Sequence, residues 1–182
     1  MPPPSDGGVR FSAVYDTGVH LFGTRLRIGP PRCTFCSMPV NAKTEFDIDA
    51  PPAVIMEILM DVEALPDWSG PHKKAEIVDE HEDGSPKTVK LELQAVGMTD
   101  HQLLNYTWTE NTCTWDLIEA DQLSHQHGQY TVTAKGEGSH IAFELEVDLK
   151  IKLPGLIVKQ AQKTALNTAQ KGLKEEAKRR LS

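Results

Sequence analysis

Apolar and polar residues alternate strictly in two stretches of the chain, Thr88–Val96 and His140–Leu149. In the first, Val89, Leu91, Leu93 and Ala95 are separated by Lys90, Glu92 and Gln94. In the second, Ile141, Phe143, Leu145, Val147 and Leu149 are separated by Glu144, Glu146 and Asp148, with Ala142 the one break. A period of two gives a strand with one wet and one dry face. Such strands belong to antiparallel sheets, because parallel strands are usually buried on both faces. The two stretches fall in predicted strands over Lys87–Val96 and Ser139–Lys152. Further strands are predicted over Asn41–Ile48, Ala75–Glu82, Asp100–Thr109, Cys113–Glu119 and Ser124–Ala134. Turn residues at Asp83-Gly84, Gly97, Glu110-Asn111 and Lys135–Gly138 separate them.

Helical spacing occurs in two places. After Ala50-Pro51-Pro52, the apolar residues Val54, Ile55, Ile58 and Leu59 predict a short helix over Pro52–Met60, with proline in the first turn. Asp61 is placed to cap a second short helix, Val62–Leu65, closed by Pro66, with Trp68 in the exit turn. The one long helical pattern runs from Pro154 to Leu181. Ile157, Ala161, Ala165, Ala169, Leu173, Ala177 and Leu181 recur at every fourth residue. At ~3.6 residues per turn this row drifts by ~40° per step. The helix is therefore expected to cross the sheet obliquely or to bury only its first half. Small residues dominate that half, and alanine permits either unfilled volume or close contact with the sheet. Lys178-Arg179-Arg180 suits the negative end of the helix dipole. The expected fold class is α+β: a curved antiparallel sheet of about seven strands, in the order β-α-α-β6-α, wrapped around a long C-terminal helix.

Composition narrows the function classes. A chain of 182 residues is long enough for one domain with an ordinary core. The net charge of −7 argues against nucleic acid as a partner and weakens a role on anionic lipid surfaces. No apolar run approaches the ~20 residues of a membrane span, so no integral membrane association is expected. The N-terminus lacks the apolar core of a secretory signal, and the expected location is cytoplasmic. The first 37 residues hold four arginines and no lysine, whereas thirteen lysines and two arginines follow Met38. They are also rich in Pro and Gly. The domain is expected to span 38–182, with 1–37 an N-terminal extension that is disordered or not part of it; a hairpin from Val9–Tyr15 and Val19–Ile28 is the rival reading. Cys33-x-x-Cys36 has neither a second cysteine pair to complete a zinc site nor the βαβ context of a redox motif. It reads as two thiols in a flexible segment. No cofactor is expected.

Three local motifs carry a family resemblance. Phe46-Asp-Ile-Asp-Ala-Pro-Pro-Ala-Val-Ile-Met-Glu-Ile-Leu59 resembles an "I-x-A-P-x-x-V-x-x-x-L" opening. Asp61-Val-Glu-Ala-Leu-Pro-Asp-Trp68 resembles a "D-x-E-x-x-P-x-W" turn. Leu145-Glu-Val-Asp-Leu-Lys-Ile-Lys-Leu-Pro-Gly155 is similar to a strand-to-helix junction. In this order they resemble the START-like, or SRPBCC, superfamily of birch-pollen-allergen-like helix-grip proteins, and within it the polyketide cyclase/dehydrase branch. The resemblance implies a ligand cavity between sheet and helix. It does not fix an activity, since fold alone does not specify function.

The candidate ligand-binding residues are the inward rows of the strands: Leu91, Leu93, Leu104, Tyr106, Trp108, Trp115, Leu117, Tyr130, Val132, Phe143 and Leu145. Leu59 and Trp68 from the short helices join them, with Ile157, Ala161, Thr164 and Ala165 from the long one. Aromatic residues interleaved with aliphatic ones suit a flat apolar ligand, and the buried Tyr and Trp tips need polar partners. His125-x-His127 falls on the wet face, out of phase with Tyr130 and Val132, so no metal site is expected there. His101 and His140 are out of phase as well, and the acidic run Asp79–Asp83 reads as a solvated hairpin tip. Enzymatic cyclisation needs an acid or base inside, and Tyr106 and Tyr130 are the only in-phase candidates with a titratable proton. Asp116 and Glu119 are expected to point outward. The leading reading is a monomer or weak homodimer that binds or carries a lipid, polyketide or polycyclic aromatic. A cyclase or dehydratase is the alternative that inward carboxylates or histidines favour. A protein-interaction module using the groove is the alternative that collapse of the cavity by Trp108 and Trp115 favours.

Overall fold

The structure is a computed structural model that describes residues 40–95 and 97–182. The expected N-terminal extension, with Cys33 and Cys36, lies outside the described residues. Seven strands form one antiparallel sheet: β1 (Val40–Ile48), β2 (His72–Glu80), β3 (Pro86–Ala95), β4 (Met98–Trp108), β5 (Thr112–Ala120), β6 (Leu123–Lys135) and β7 (Gly138–Leu149). Their order across the sheet is β1-β7-β6-β5-β4-β3-β2. Hairpins join consecutive strands from β2 to β7, and β1 closes on β7 with Val40 opposite Val147 and Ile48 opposite Ser139. Gly84, Gly97 and Gly136 take the left-handed conformation that tight turns between strands require. The sheet therefore has two ends. The front carries His72, Ala95, Met98, Ala120, Leu123 and Leu149; the back carries Glu80, Pro86, Trp108, Thr112, Lys135 and Gly138.

Helix α1 (Pro52–Met60) leaves β1 at the back and buries Ile55, Met56, Ile58 and Leu59. A 3-10 turn, Val62–Ala64, leads into α2 (Leu65–Trp68). This corrects the reading of Pro66 as a stop. Proline sits at the start of α2, where its missing N–H costs nothing, and Trp68 is the last helical residue rather than part of an exit turn. Asp61 makes no side-chain cap; Arg180 Nη2 donates to its Oδ2 at 2.5 Å instead. Strand β2 begins at His72, three residues before the expected start, and its pairing with β3 slips between His72 and Lys74.

The C-terminal helical segment comprises α3 (Gly155–Asn167), a π-helical stretch (Thr168–Gly172) and α4 (Leu173–Arg180). Here the burial expectation is reversed. No residue of α3 is buried, whereas Ala169, Gly172, Leu173, Glu176 and Ala177 are. The second half packs on α1 and α2, and Gly172 permits it: a Cβ there stands 2.4 Å from the Trp68 carbonyl oxygen. Glu176, 3% exposed, accepts two bonds from Arg179 at 2.7 and 2.6 Å and one from Arg180 at 2.8 Å. The basic tail thus holds a buried carboxylate and ties α4 to Asp61. Among the described residues no helix is long and apolar enough to cross a membrane.

Candidate functional site: a cavity under the C-terminal helix

Because α4 fills the back of the molecule while α3 stays only half-buried, volume remains between α3 and the front of the sheet. The cavity measures about 270 Å³, just under the ~300–1,000 Å³ usual for small-molecule sites. Its centre is aromatic. Trp115 stacks on Tyr106 at 6.0 Å between centroids and on Phe143 at 6.4 Å, and Tyr130 meets Phe143 at 4.8 Å. Gly128, opposite Trp115 on β6, makes this possible: a Cβ there comes within 2.1 Å of the indole ring. The ring lies over the missing side chain, and its neighbours hold it against the sheet.

Polar groups gather toward the front. Asp100, Gln102 and Gln126 are buried and line the cavity. Gln102 Nε2 donates to Asp100 Oδ2 at 2.7 Å, and the Gln122 N–H donates to Asp100 Oδ1 at 2.8 Å. Gln102 Oε1 is buried with no partner among the described residues, as is Trp68 Nε1. On the other side of Leu93, His72 Nδ1 is hydrogen-bonded to the buried Ser69 hydroxyl. His72 pairs with Leu93, and Leu93 with Asp100. The imidazole and the carboxylate therefore occupy one row of the sheet, two strands and roughly 10 Å apart along it. Burial pushes the His72 imidazole down to about 4, which keeps it neutral near pH 7. Burial likewise pushes the Tyr106 and Tyr130 hydroxyls and the Cys113 thiol up, so all three stay protonated.

Thirteen of the seventeen candidate residues line this cavity: Leu59, Trp68, Leu91, Leu93, Leu104, Tyr106, Trp115, Tyr130, Phe143, Leu145, Ala161, Thr164 and Ala165. Trp108, Leu117, Val132 and Ile157 do not. Trp108 is in phase but sits at the back, where its Nε1 donates to the Pro86 carbonyl at 2.6 Å and its ring stacks on Tyr106. Val132, 1% exposed, belongs to the solid core. A bulge carries β5 past Leu117: Leu104 pairs with Leu117 but Gln102 with Ala120, and Ala120 takes the buried position. Ile157 is half-buried outside the cavity, and Leu153 lines it instead.

The polar end was missed by the apolar-row criterion. Stepping back by twos from Leu104 reaches Gln102 and Asp100, so the period itself contained them. His72 is different, because strict alternation from Ala75 turns it outward and only the bulge at Lys73 brings it in. The statement that tyrosines are the only in-phase titratable groups is thereby corrected. The remaining histidines lie outside. His127 Nδ1 is 2.7 Å from Asp116 Oδ1, His101 Nδ1 the same distance from Asp121, and His140 from Asp47; His125 is exposed. Asp116 and Glu119 are exposed too. Trp108 and Trp115 leave the cavity open.

The chain belongs to the family described as polyketide cyclase / dehydrase and lipid transport, whose model matches residues 39–181. Its fold is shared with solved structures of low sequence identity. A START superfamily protein from Mycobacterium smegmatis superposes with a TM-score of 0.71 at 22% identity, covering 76% of this chain and 97% of that one. The Zhui aromatase/cyclase from Streptomyces sp. R1128 gives 0.68 at 16% identity, covering 79% and 96%. A STAR-related lipid transfer protein from Xanthomonas axonopodis gives 0.59 at 15%, covering 75% and 84%. No curated protein matches the chain.

Proposed function

We propose that the protein binds and carries a hydrophobic small molecule with a flat apolar body and at least one hydrogen-bond donor. The observation that carries this reading is Gln102 Oε1, which is buried without a partner among the described residues at the polar end of an otherwise apolar cavity. A buried acceptor without a partner costs about 1–3 kcal/mol, and a ligand hydroxyl or amide N–H reaching it recovers that cost. The apolar body then lies on the Trp115–Tyr106 stack, where burial of its surface supplies most of the affinity. The family's description and the lipid-transfer neighbour support a carrier.

The test uses 2-naphthol and naphthalene, two probes of one shape that differ by a hydroxyl, with binding read from tryptophan quenching. We expect 2-naphthol to bind about tenfold tighter, worth about 1.4 kcal/mol. Gln102→Met should abolish the difference while leaving naphthalene bound. If neither probe binds, the carrier reading is wrong. A cyclase or dehydratase is the second reading, favoured by the buried His72 imidazole and the Asp100 side chain in one row of the cavity wall. On that reading an aromatic precursor bearing a 1,3-diketone loses the mass of water in the presence of the protein, and His72→Phe stops the loss without preventing binding.

A further inference from the structure

The net charge of the chain conceals a sharp separation. Residues 40–148 carry 22 Asp and Glu against six lysines, whereas residues 149–174 carry six lysines and no Asp or Glu. Lys150, Lys152, Lys159, Lys163, Lys171 and Lys174 are all exposed, and none of them is in a salt bridge among the described residues. Their paired counterparts lie elsewhere, on the sheet: Lys43 with Glu144, Lys135 with Asp47. Within the basic segment stand two exposed large apolar side chains, Leu156 at 81% and Ile151 at 44% exposure.

Helix geometry sorts these residues. Leu156, Lys159 and Lys163 are spaced i, i+3, i+7 and share one face of α3. Ala161, Thr164 and Ala165 are on the opposite face and line the cavity. The helix is therefore amphipathic in an unusual sense: small residues toward the cavity, lysines and a leucine toward solvent. Leu153 lines the cavity between the exposed Ile151 and Leu156, so the basic surface is also the cavity's roof. The wet face of the sheet, on the far side, carries exposed Asp116, Glu119 and Asp121, none paired with a lysine or arginine among the described residues.

We propose that α3 and the segment leading into it dock the protein on an anionic lipid bilayer, cavity roof first. Lysines alone fit any polyanion. A bare leucine and isoleucine set among them fit a surface that is anionic outside and apolar a few ångströms below, which is how interfacial helices bind membranes. Each lysine near such a surface contributes about fivefold in affinity at low salt. The acidic sheet face orients the encounter, since it is repelled from the surface to which the lysines are drawn. Docking in this pose places the roof of the cavity against lipid, and it does not depend on what the cavity holds.

The test is co-flotation of the full chain with vesicles of phosphatidylcholine alone or with 30% phosphatidylglycerol, at 50 and 500 mM NaCl. We expect at least a tenfold larger bound fraction on the anionic vesicles, lost at high salt. The double variant Lys159→Glu/Lys163→Glu should abolish it, and Leu156→Asp should lower it severalfold at 50 mM NaCl. The pair Lys43→Glu/Lys135→Glu, which makes the same charge change on the sheet, should bind like the parent. All five positions are exposed, so unchanged melting temperatures verify the fold. Equal binding to both vesicle types, persistence in the α3 double variant, or an equal loss in the sheet variant overturns the proposal. So does equal binding to heparin without sensitivity to Leu156→Asp, which assigns the surface to a soluble polyanion.

Discussion

Both halves of the C-terminal helical segment turn small residues inward, and they do opposite work. In α4, Leu173 and Ala177 are fully buried against α1 and α2, and Glu176 is closed over by Arg179 and Arg180. In α3, Ala161, Thr164 and Ala165 face the sheet at comparable spacing, yet none is buried, because Tyr106, Trp115 and Phe143 opposite them are packed flat on one another rather than into the helix. The difference lies in the partner. Where a second helix layer stands behind the segment, small residues give close contact; where only a sheet bearing stacked rings stands there, the same small residues leave a cavity. The π-helical stretch Thr168–Gly172 marks the change, in keeping with the functional placement of such bulges.

The largest expected effect comes from placing one side chain in each half. Ala177→Trp puts an indole where no space exists, and overpacking on that scale should leave no cooperative unfolding transition. Ala165→Trp adds the same volume to the cavity. It should keep the melting temperature within a few degrees and lower 2-naphthol affinity at least tenfold. Circular dichroism melts and a probe titration of the two proteins decide the matter; unfolding of the Ala165 variant would mean that the cavity is not free volume.

The next effect is a deletion. Leu173→Ala removes a fully buried side chain from the α4 contact and should cost about 3 kcal/mol in urea unfolding. Leu156→Ala, on the exposed face of α3, should change stability by less than about 0.5 kcal/mol. Near-equal losses at the two positions would remove the distinction between the halves.

How far the halves were legible in the sequence follows from the range of the forces involved. The strands announce themselves, since alternation from Val89 to Ala95 and from Ile141 to Leu149 is a local consequence of one wet and one dry face. The seven-stranded helix-grip architecture follows from them and the family motifs. The alanine row of the last helix does not say which part meets another helix, because that depends on α1 and α2, about a hundred residues away. The ion cluster of Asp61, Glu176, Arg179 and Arg180 is invisible for the same reason, and so Lys178–Arg180 read as a dipole complement. At the cavity, selecting apolar in-phase residues found the walls but discarded Asp100 and Gln102, which share their phase. The bulge that turns His72 inward leaves no mark in the pattern at all. Whole-chain charge, finally, averages an acidic sheet with a basic roof and hides both.

The last comparison separates the two regions by pH. Glu176 in α4 has its pKa held below the usual glutamate range, chiefly by hydrogen bonding from Arg179 and then Arg180. The unfolded chain takes up that proton first as pH falls, so the stabilisation present above about pH 4.3 is lost below it. His72 at the cavity has its pKa lowered by burial to about 4. Its unfolded form gains a proton near pH 6.5, so this group costs stability progressively between about pH 6.5 and 4 and adds no further slope below. The windows hardly overlap. Urea unfolding free energies measured from pH 7 to 3 should fall in both windows. His72→Asn should flatten the profile between pH 6.5 and 4, and Glu176→Gln should flatten it only below about 4.3, once the shared contribution of the exposed aspartates is removed by difference from the parent. A parent profile that is level between pH 6.5 and 4.5 would mean that His72 is open to water, and the cavity with it.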